Sequence, residues 1–252
     1  MVTIDELVAY SDTLLHTAEF QDYCPNGLQV EGRAEVRRIV SGVTASQALV
    51  DAAVAAGADV LLVHHGYFWN GEPAPIVGIR RRRIAALLEH GINLLAYHLP
   101  LDAHPELGNN ARLAADLDLS IEGWFGGGRG PDIGCHGRSA QPLTPAGLAD
   151  RLEARLGRTP LHLPGRAGRI ERLAWCTGAA QSYIAAAAAL GVDAFISGEA
   201  SEQTTHLARE LGIHYFGAGH HATERGGPRA LGAHLAEKFS LEHRFIDIDN
   251  PV

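Results

Sequence analysis

The chain has 252 residues, 46% of them hydrophobic, which is enough for one large domain or two modest ones with a full core. A formal net charge of -8 argues against nucleic-acid binding over the whole surface, though not against a local basic patch. Three scattered cysteines (Cys24, Cys135, Cys176) without CxxC spacing argue against a disulfide scaffold and fit a reducing cytoplasm. The acid-bearing, amphipathic start is unlike a signal peptide, and no run approaches the roughly 18 apolar residues of a membrane span.

Thr3-Ile4-Asp5-Glu6 is a capping box and predicts a helix to about Thr17. Cys24-Pro25-Asn26-Gly27 is turn chemistry before a short apolar stretch, Leu28–Val30. Arg38–Val43 reads as a strand, Ser46–Ala56 as an alanine-rich helix ended by Gly57, and Val60–Val63 as a buried strand. A helix over Ile79–His90, a strand over Asn93–Tyr97 and a helix over Asn109–Leu117 follow. Thr144-Pro145 places an N-cap and a first-turn proline on a helix to about Leu156. The order then repeats: strand Arg172–Cys176, helix Gln181–Leu190, strand Ala194–Ser197, helix Glu202–Leu211, strand His214–Gly217. A helix over Gly227–Phe239 and a last strand within Glu242–Ile248 complete the chain.

The repetition is also one of residues. Gly57–Gly66 (GADVLLVHHG) returns as Gly191–Ala200 (GVDAFISGEA), and Arg38–Gly66 aligned with Arg172–Ala200 without gaps is identical at eight of 29 positions. Four of the eight are alanine; Gln47/Gln181, Gly57/Gly191 and Asp59/Asp193 carry more weight. Strands alternating with helices imply an α/β fold, read here as two pseudo-symmetric halves with largely parallel or mixed sheets. The glycine-rich run Gly126–Pro131 sets the boundary, giving halves at 1–125 and 126–252, with the C-terminal helix free to join the first in space. That run lacks the Lys-Ser/Thr of a P-loop, so it reads as a linker rather than a phosphate cradle.

Three places with metal-type ligands each follow a predicted strand: His64-His65, His98 with Asp102, and His220-His221 with Glu224. The carboxyl ends of strands in open α/β sheets are where ligands bind. His98…Asp102 and His220…Glu224 share an i, i+4 spacing, which puts both side chains on one face of a helical turn, and they occupy equivalent places in the two halves. Each has a bland reading: a hydrogen-bonded histidine pair, a brace for the turn at Pro100, a solvated helix pair. Three clusters at strand ends make coincidence a poor explanation. Imidazole with carboxylate and no thiolate suits zinc, iron or manganese. The five ligands His64, His65, Asp102, His220 and Glu224 exceed the four of a closed structural zinc. They suit two divalent ions about 3.5–4 Å apart, which acidify a bridging water into a hydroxide nucleophile and so imply hydrolysis. Both halves supply ligands, so the metals belong to the cleft between them. The Arg80–Arg83 run reads as a solvated face or an inter-subunit surface before it reads as a nucleic-acid patch, and Asn109, Asn110, Arg225 and Glu199 read as structural.

Tyr23–Gly32, Val63–Trp69, Tyr97–Asn110, Ser197–Gln203 and Gly219–Gly227 together resemble the Nif-three-like family, over essentially the whole chain. Bacterial members of that family are often called GTP cyclohydrolase I type 2 homologues. The resemblance implies a dinuclear metal centre between two α/β halves, a toroidal homohexamer, and the same five ligands. It favours His220 over His221 and puts His98 beside the metals, where it could shuttle protons. It implies hydrolytic opening of a guanine ring on a small-molecule, nucleotide substrate. A two-metal phosphoesterase and a non-enzymatic ring that binds nucleic acid or handles metal are the competing functions; no membrane partner is expected.

Overall fold

A computed structural model of the chain describes residues 2–126 and 130–252. Contacts gather it into two compact units, Met1–Leu101 with Gly227–Asp249, and Asp102–Gly226 with Asn250–Val252. The architecture is α/β with mixed sheets.

The strands of the first unit come in the order β1 (Val2–Thr3), β2 (Gly27–Val30), β3 (Glu35–Val36), β4 (Arg38–Thr44), β5 (Val60–His65) and β6 (Asn93–Ala96). β4, β5 and β6 are parallel neighbours, β2 lies antiparallel on β6, and β1 pairs with β3. Val60 to Val63 are fully buried, as an unalternating apolar run in a parallel strand requires. Helices Gln47–Ala55 and Gly78–Glu89 bring Leu49, Val50, Ala53, Ile84 and Leu87 onto Val40, Leu61, Val63 and Leu94 in one core. The N-terminal helix, Ile4–Leu14, has its capping box closed both ways: Glu6 N donates to Thr3 Oγ1 at 3.3 Å and Thr3 N to Glu6 Oε2 at 3.0 Å. It stops short of Thr17 because His16 turns left-handed, at φ 52°.

The second unit contains β7 (Leu119–Phe125), β8 (Gly134–Leu143), β9 (Leu161–Leu163), β10 (Ile170–Cys176), β11 (Ala194–Ser197) and β12 (His214–Gly217), in the sheet order β7-β8-β10-β11-β12-β9. β10, β11 and β12 are parallel; the outer pairings are antiparallel. The final segment, helix Gly226–Phe239 and strand β13 (Glu242–Phe245), lays its strand parallel to β4 at the edge of the first unit's sheet.

The repeated residues build the same joint in each unit. Asp59 Oδ2 accepts from the backbone N–H groups of Arg37 and Arg38, at 2.8 and 2.9 Å; Asp193 Oδ2 accepts from those of Glu171 and Arg172, both at 2.9 Å. Arg38 Nη1 reaches the Gly57 carbonyl at 3.4 Å, and Arg172 Nη1 the Gly191 carbonyl at 3.3 Å. Both glycines are left-handed, at φ 64° and 69°.

The boundary read at 125/126 does not coincide with these units. It separates β7 from β8, which pair over Leu119–Phe125 and Gly134–Ser139. The sequence pattern does not announce those strands, because glycines break it. A Cβ on Gly137 would overlap the Ser120 carbonyl, so close backbone approach demands glycine inside this strand. Of the Gly126–Pro131 run, residues 127–129 lie outside the described residues. Among the described residues no helix is long and apolar enough to cross a membrane.

Candidate metal centre

In the first unit, β5 ends in His64 and His65, whose rings are 4.6 Å apart. His64 is fully buried, and its Nδ1 lies 2.9 Å from the Tyr97 carbonyl. A carbonyl only accepts, so Nδ1 carries the hydrogen and Nε2 keeps the lone pair a metal needs. His65 Nδ1 stands 3.2 Å from Thr44 Oγ1. The next residue must be glycine: a Cβ on Gly66 would collide with Gln29 Oε1, which accepts from Tyr67 N at 2.6 Å.

His98 follows β6, its backbone N–H donating to Asn26 Oδ1 at 2.8 Å. Its Nδ1 lies 2.7 Å from Asp22 Oδ1. The Asp22 carboxylate also accepts from Tyr23 N at 2.6 Å, Asn26 Nδ2 at 2.9 Å and Leu99 N at 2.9 Å. Burial works to raise its pKa, but the bonds to His98, Asn26 and Leu99 and the His98 charge outweigh it and hold the carboxyl below its ordinary value. One ligand atom each from His64, His65 and His98 falls within 4.8 Å of the other two. Asp22, Cys24 and His98 form a second such group, but burial and the Asp22 charge push the Cys24 thiol up to about 12. It stays protonated at neutral pH and has no activated-thiolate character. All three cysteines are free and buried.

In the second unit, Asp102 sits on the helical turn Leu99–Ala103 and is buried. Its Oδ1 accepts from Asn109 Nδ2 at 2.9 Å and Thr177 Oγ1 at 3.3 Å. Asn110, fully buried, accepts from Thr177 N at 3.0 Å and from Trp175 Nε1 at 3.0 Å. The adjacent asparagines are thus the braces of Asp102 and of the strand end that faces it.

His220 and Glu224 occupy one helical turn, with His220 Nε2 3.2 Å from Glu224 Oε2. The other ring nitrogen, Nδ1, lies 2.6 Å from Glu199 Oε1. Burial opposes the imidazolium, but hydrogen bonds and charge from Glu224 and Glu199 prevail and push the His220 pKa up to about 9. An environment that stabilises a proton between carboxylates also suits a divalent cation at Nε2. Gly178, at φ 67°, makes room for Glu224: a Cβ there would overlap Glu224 Oε1. Donor chemistry and cradle both fit a divalent metal.

Glu199, which reads as structural from the sequence, orients His220. Sequence reasoning does not single out Asp22; its only signal is a place in the turn before Asn26 and Gly27, 76 residues from the histidine it holds. Arg225 bonds the Leu156 carbonyl at 2.6 Å, in keeping with its structural reading. In the Arg80–Arg83 run, Arg80 lies over the Phe68 ring at 4.7 Å and pairs with Glu72 at 3.8 Å.

Fold and donors together define an α/β protein with histidine–carboxylate clusters suited to a divalent metal. The chain belongs to the Duf34/NIF3 (NGG1p interacting factor 3) family, whose profile matches residues 2–251. It is 56% identical over 250 residues to the GTP cyclohydrolase 1 type 2 homolog of Pseudomonas aeruginosa, covering 99% of each chain. To the protein of the same name from Escherichia coli K12 it is 54% identical over 248 residues, covering 98% of each. Among solved structures, protein ybgI, described as of unknown function, superposes with a TM-score of 0.96 at 52% identity over the whole of both chains. A protein from Thermus thermophilus gives 0.91 at 38% identity, again over the whole of both.

Proposed function

We propose that His64, His65, Asp102, His220 and Glu224 hold two divalent ions (zinc, iron or manganese), and that the protein is a metal-dependent hydrolase. The leading reaction is opening of a nucleotide's ring, of the kind named in its relatives. The observation that carries this reading is the preorientation of the donors: a neighbour fixes His64 through Tyr97 O, Asp102 through Asn109 and Thr177, and His220 through Glu199. Partners of this kind hold ligand geometry and raise ligand basicity. When bound, the ions supply Lewis acidity and acidify water to a nucleophile at neutral pH.

The remaining work falls to the chain. Asp22 keeps a proton on His98 Nδ1, leaving Nε2 to take a proton and return it. Ring opening with formate release needs such a carrier, because the departing ring nitrogen must be protonated. His98 is read as that carrier and not as a ligand. Glu199, with its proton-holding bond to His220 Nδ1, would leave His220 Nε2 as the nitrogen to hold a metal.

Incubation of iron-, manganese- or zinc-loaded protein with GTP is the decisive experiment. Formate and a ring-opened pteridine precursor are expected. Phosphate instead would make the centre a two-metal phosphoesterase, and neither product with any of the three metals would refute the hydrolase reading for this nucleotide. By family resemblance we read the protein as a homohexamer, a state that light scattering on the purified protein tests directly, and by its scattered cysteines as cytoplasmic.

A further inference from the structure

The first unit carries aromatic surface that the proposed chemistry leaves unused. Tyr23 is 63% exposed, although it directly follows the sequestered Asp22. Its ring centre lies 6.3 Å from that of His98. The Trp69 ring stands 5.0 Å from His98, nearly perpendicular at 82°, and 5.8 Å from His65. Tyr23 and Trp69 come from separate loops that are tied together, since Asn70 N donates to the Tyr23 carbonyl at 2.7 Å. Trp69 is further fixed by Nε1 donating to the Gly66 carbonyl at 3.3 Å.

The backbone just before Trp69 is strained. Phe68 sits at φ 65°, in the left-handed region that bulky residues avoid. Its surroundings impose this conformation: the ring packs on the first unit's core, and the Arg80 guanidinium covers it. Strain maintained in this way gathers at ligand clamps and active sites. Trp69 follows Phe68 directly in the chain.

We propose that Tyr23 and Trp69 form a stacking subsite for a planar heteroaromatic ring, a nucleobase or a fused ring of similar shape, beside the imidazoles of His65 and His98. The inference deepens the hydrolase reading and rests on it for the reaction the bound ring undergoes. Tyrosine and tryptophan offer wide, rigid ring faces at little cost in side-chain entropy, and any base has a π-face to meet them. A ligand lacking a ring gains nothing from such a surface.

The test is calorimetric titration of metal-loaded protein with GTP and, separately, with inorganic tripolyphosphate. Wild type, Trp69→Leu, Trp69→Phe and Tyr23→Leu are compared, with metal content measured on the same samples. Trp69→Leu should weaken GTP binding by about tenfold, the usual scale of one lost base–aromatic stack, while tripolyphosphate binding is unchanged. Trp69→Phe should retain most of the affinity, and Tyr23→Leu, at an exposed position, should lose several-fold with no effect on folding. Equal losses for both ligands, unchanged GTP affinity in both leucine variants, or no GTP binding by wild type would overturn the subsite. Full metal content alongside such a result would leave the metal centre standing. Base-dependent binding by metal-loaded wild type that releases neither formate nor phosphate from GTP would sustain the subsite and remove the hydrolase reading for this nucleotide.

Discussion

Asp102 Oδ1 accepts hydrogen bonds from Asn109 and Thr177, so the plane of the carboxylate is set before any ion arrives. Asp102→Ala should therefore cut bound metal below two ions per chain, measured by elemental analysis, while circular dichroism shows the fold retained. Unchanged stoichiometry would remove Asp102 from the ligand set. The cost to stability, about 1–3 kcal/mol, comes from removing the hydrogen bonds that Asn109 and Thr177 make to Asp102 Oδ1. Gly178 gives a sharper contrast. Gly178→Ala adds a Cβ on top of Glu224 Oε1, whereas Gly157→Ala, at a similar φ of 77°, meets nothing within 4 Å. Both variants bear the backbone strain of a positive φ, about 1–3 kcal/mol, but only Gly178→Ala should lose metal. His220 makes the chelated protein's stability depend on pH. Its folded pKa of about 9 lies above the roughly 6.5 of an unfolded histidine, so the native state binds the proton more tightly. That stabilisation is complete below roughly pH 6.5 and is lost as pH rises through about 9. The thermal midpoint of EDTA-treated protein should fall across this window, and Glu199→Gln should flatten the slope; an equal slope in both proteins would show that another group is responsible.

At the scale of elements, the sequence is legible where period and punctuation agree. Thr144-Pro145 announces the helix Pro145–Leu156, and Val60–Val63 announces β5, because a cap and an uninterrupted apolar run are local signals. β7 and β8 are not local in this sense. Their pairing shifts register between Ile121 and Gly123, and Gly137 is imposed by a partner strand that the pattern does not reveal. The site divides the same way. The candidate ligand types are visible in the sequence, and so are the i, i+4 spacings: Asp102 and His220 lie on helical turns, with His98 and Glu224 directly flanking them. The carboxylates that aim the imidazoles are not, because Asp22 and Glu199 meet His98 and His220 only through the fold. The repeat, by contrast, marks its own joint in the sequence. Asp59 and Asp193 each hold two backbone N–H groups at the start of a strand. Replacing either by alanine leaves those donors short of an acceptor and should cost about 1–3 kcal/mol, read as a lower urea midpoint at unchanged m. Similar losses at both positions are expected, and a neutral Asp193→Ala would show that the joint does no structural work in the second unit.

At the scale of the whole molecule, the proposed ligands run from His64 to Glu224 and lie far apart in the sequence. Ions held by residues so distant in sequence bind the native chain and not the unfolded one, so they stabilise the native state by mass action. At a free metal concentration near 100 times Kd the gain is about 2.7 kcal/mol, which should raise the thermal midpoint by a few degrees in a chain of this size. Glu224→Gln keeps the volume of the buried side chain but removes its charge, so at neutral pH it should lower the chelated protein's midpoint, because His220 loses a carboxylate partner, and should in addition abolish most of the metal-dependent rise. Screening cannot reproduce this pattern: salt weakens exposed pairs such as Arg38–Glu242 in both states of loading, whereas a liganded ion acts only when present. Scanning calorimetry of wild type and Glu224→Gln, each with EDTA and with excess zinc or manganese, separates the two effects. Equal metal-dependent shifts in the two proteins would mean that the ions bind elsewhere on the surface, where a net charge of -8 offers carboxylates enough to attract them.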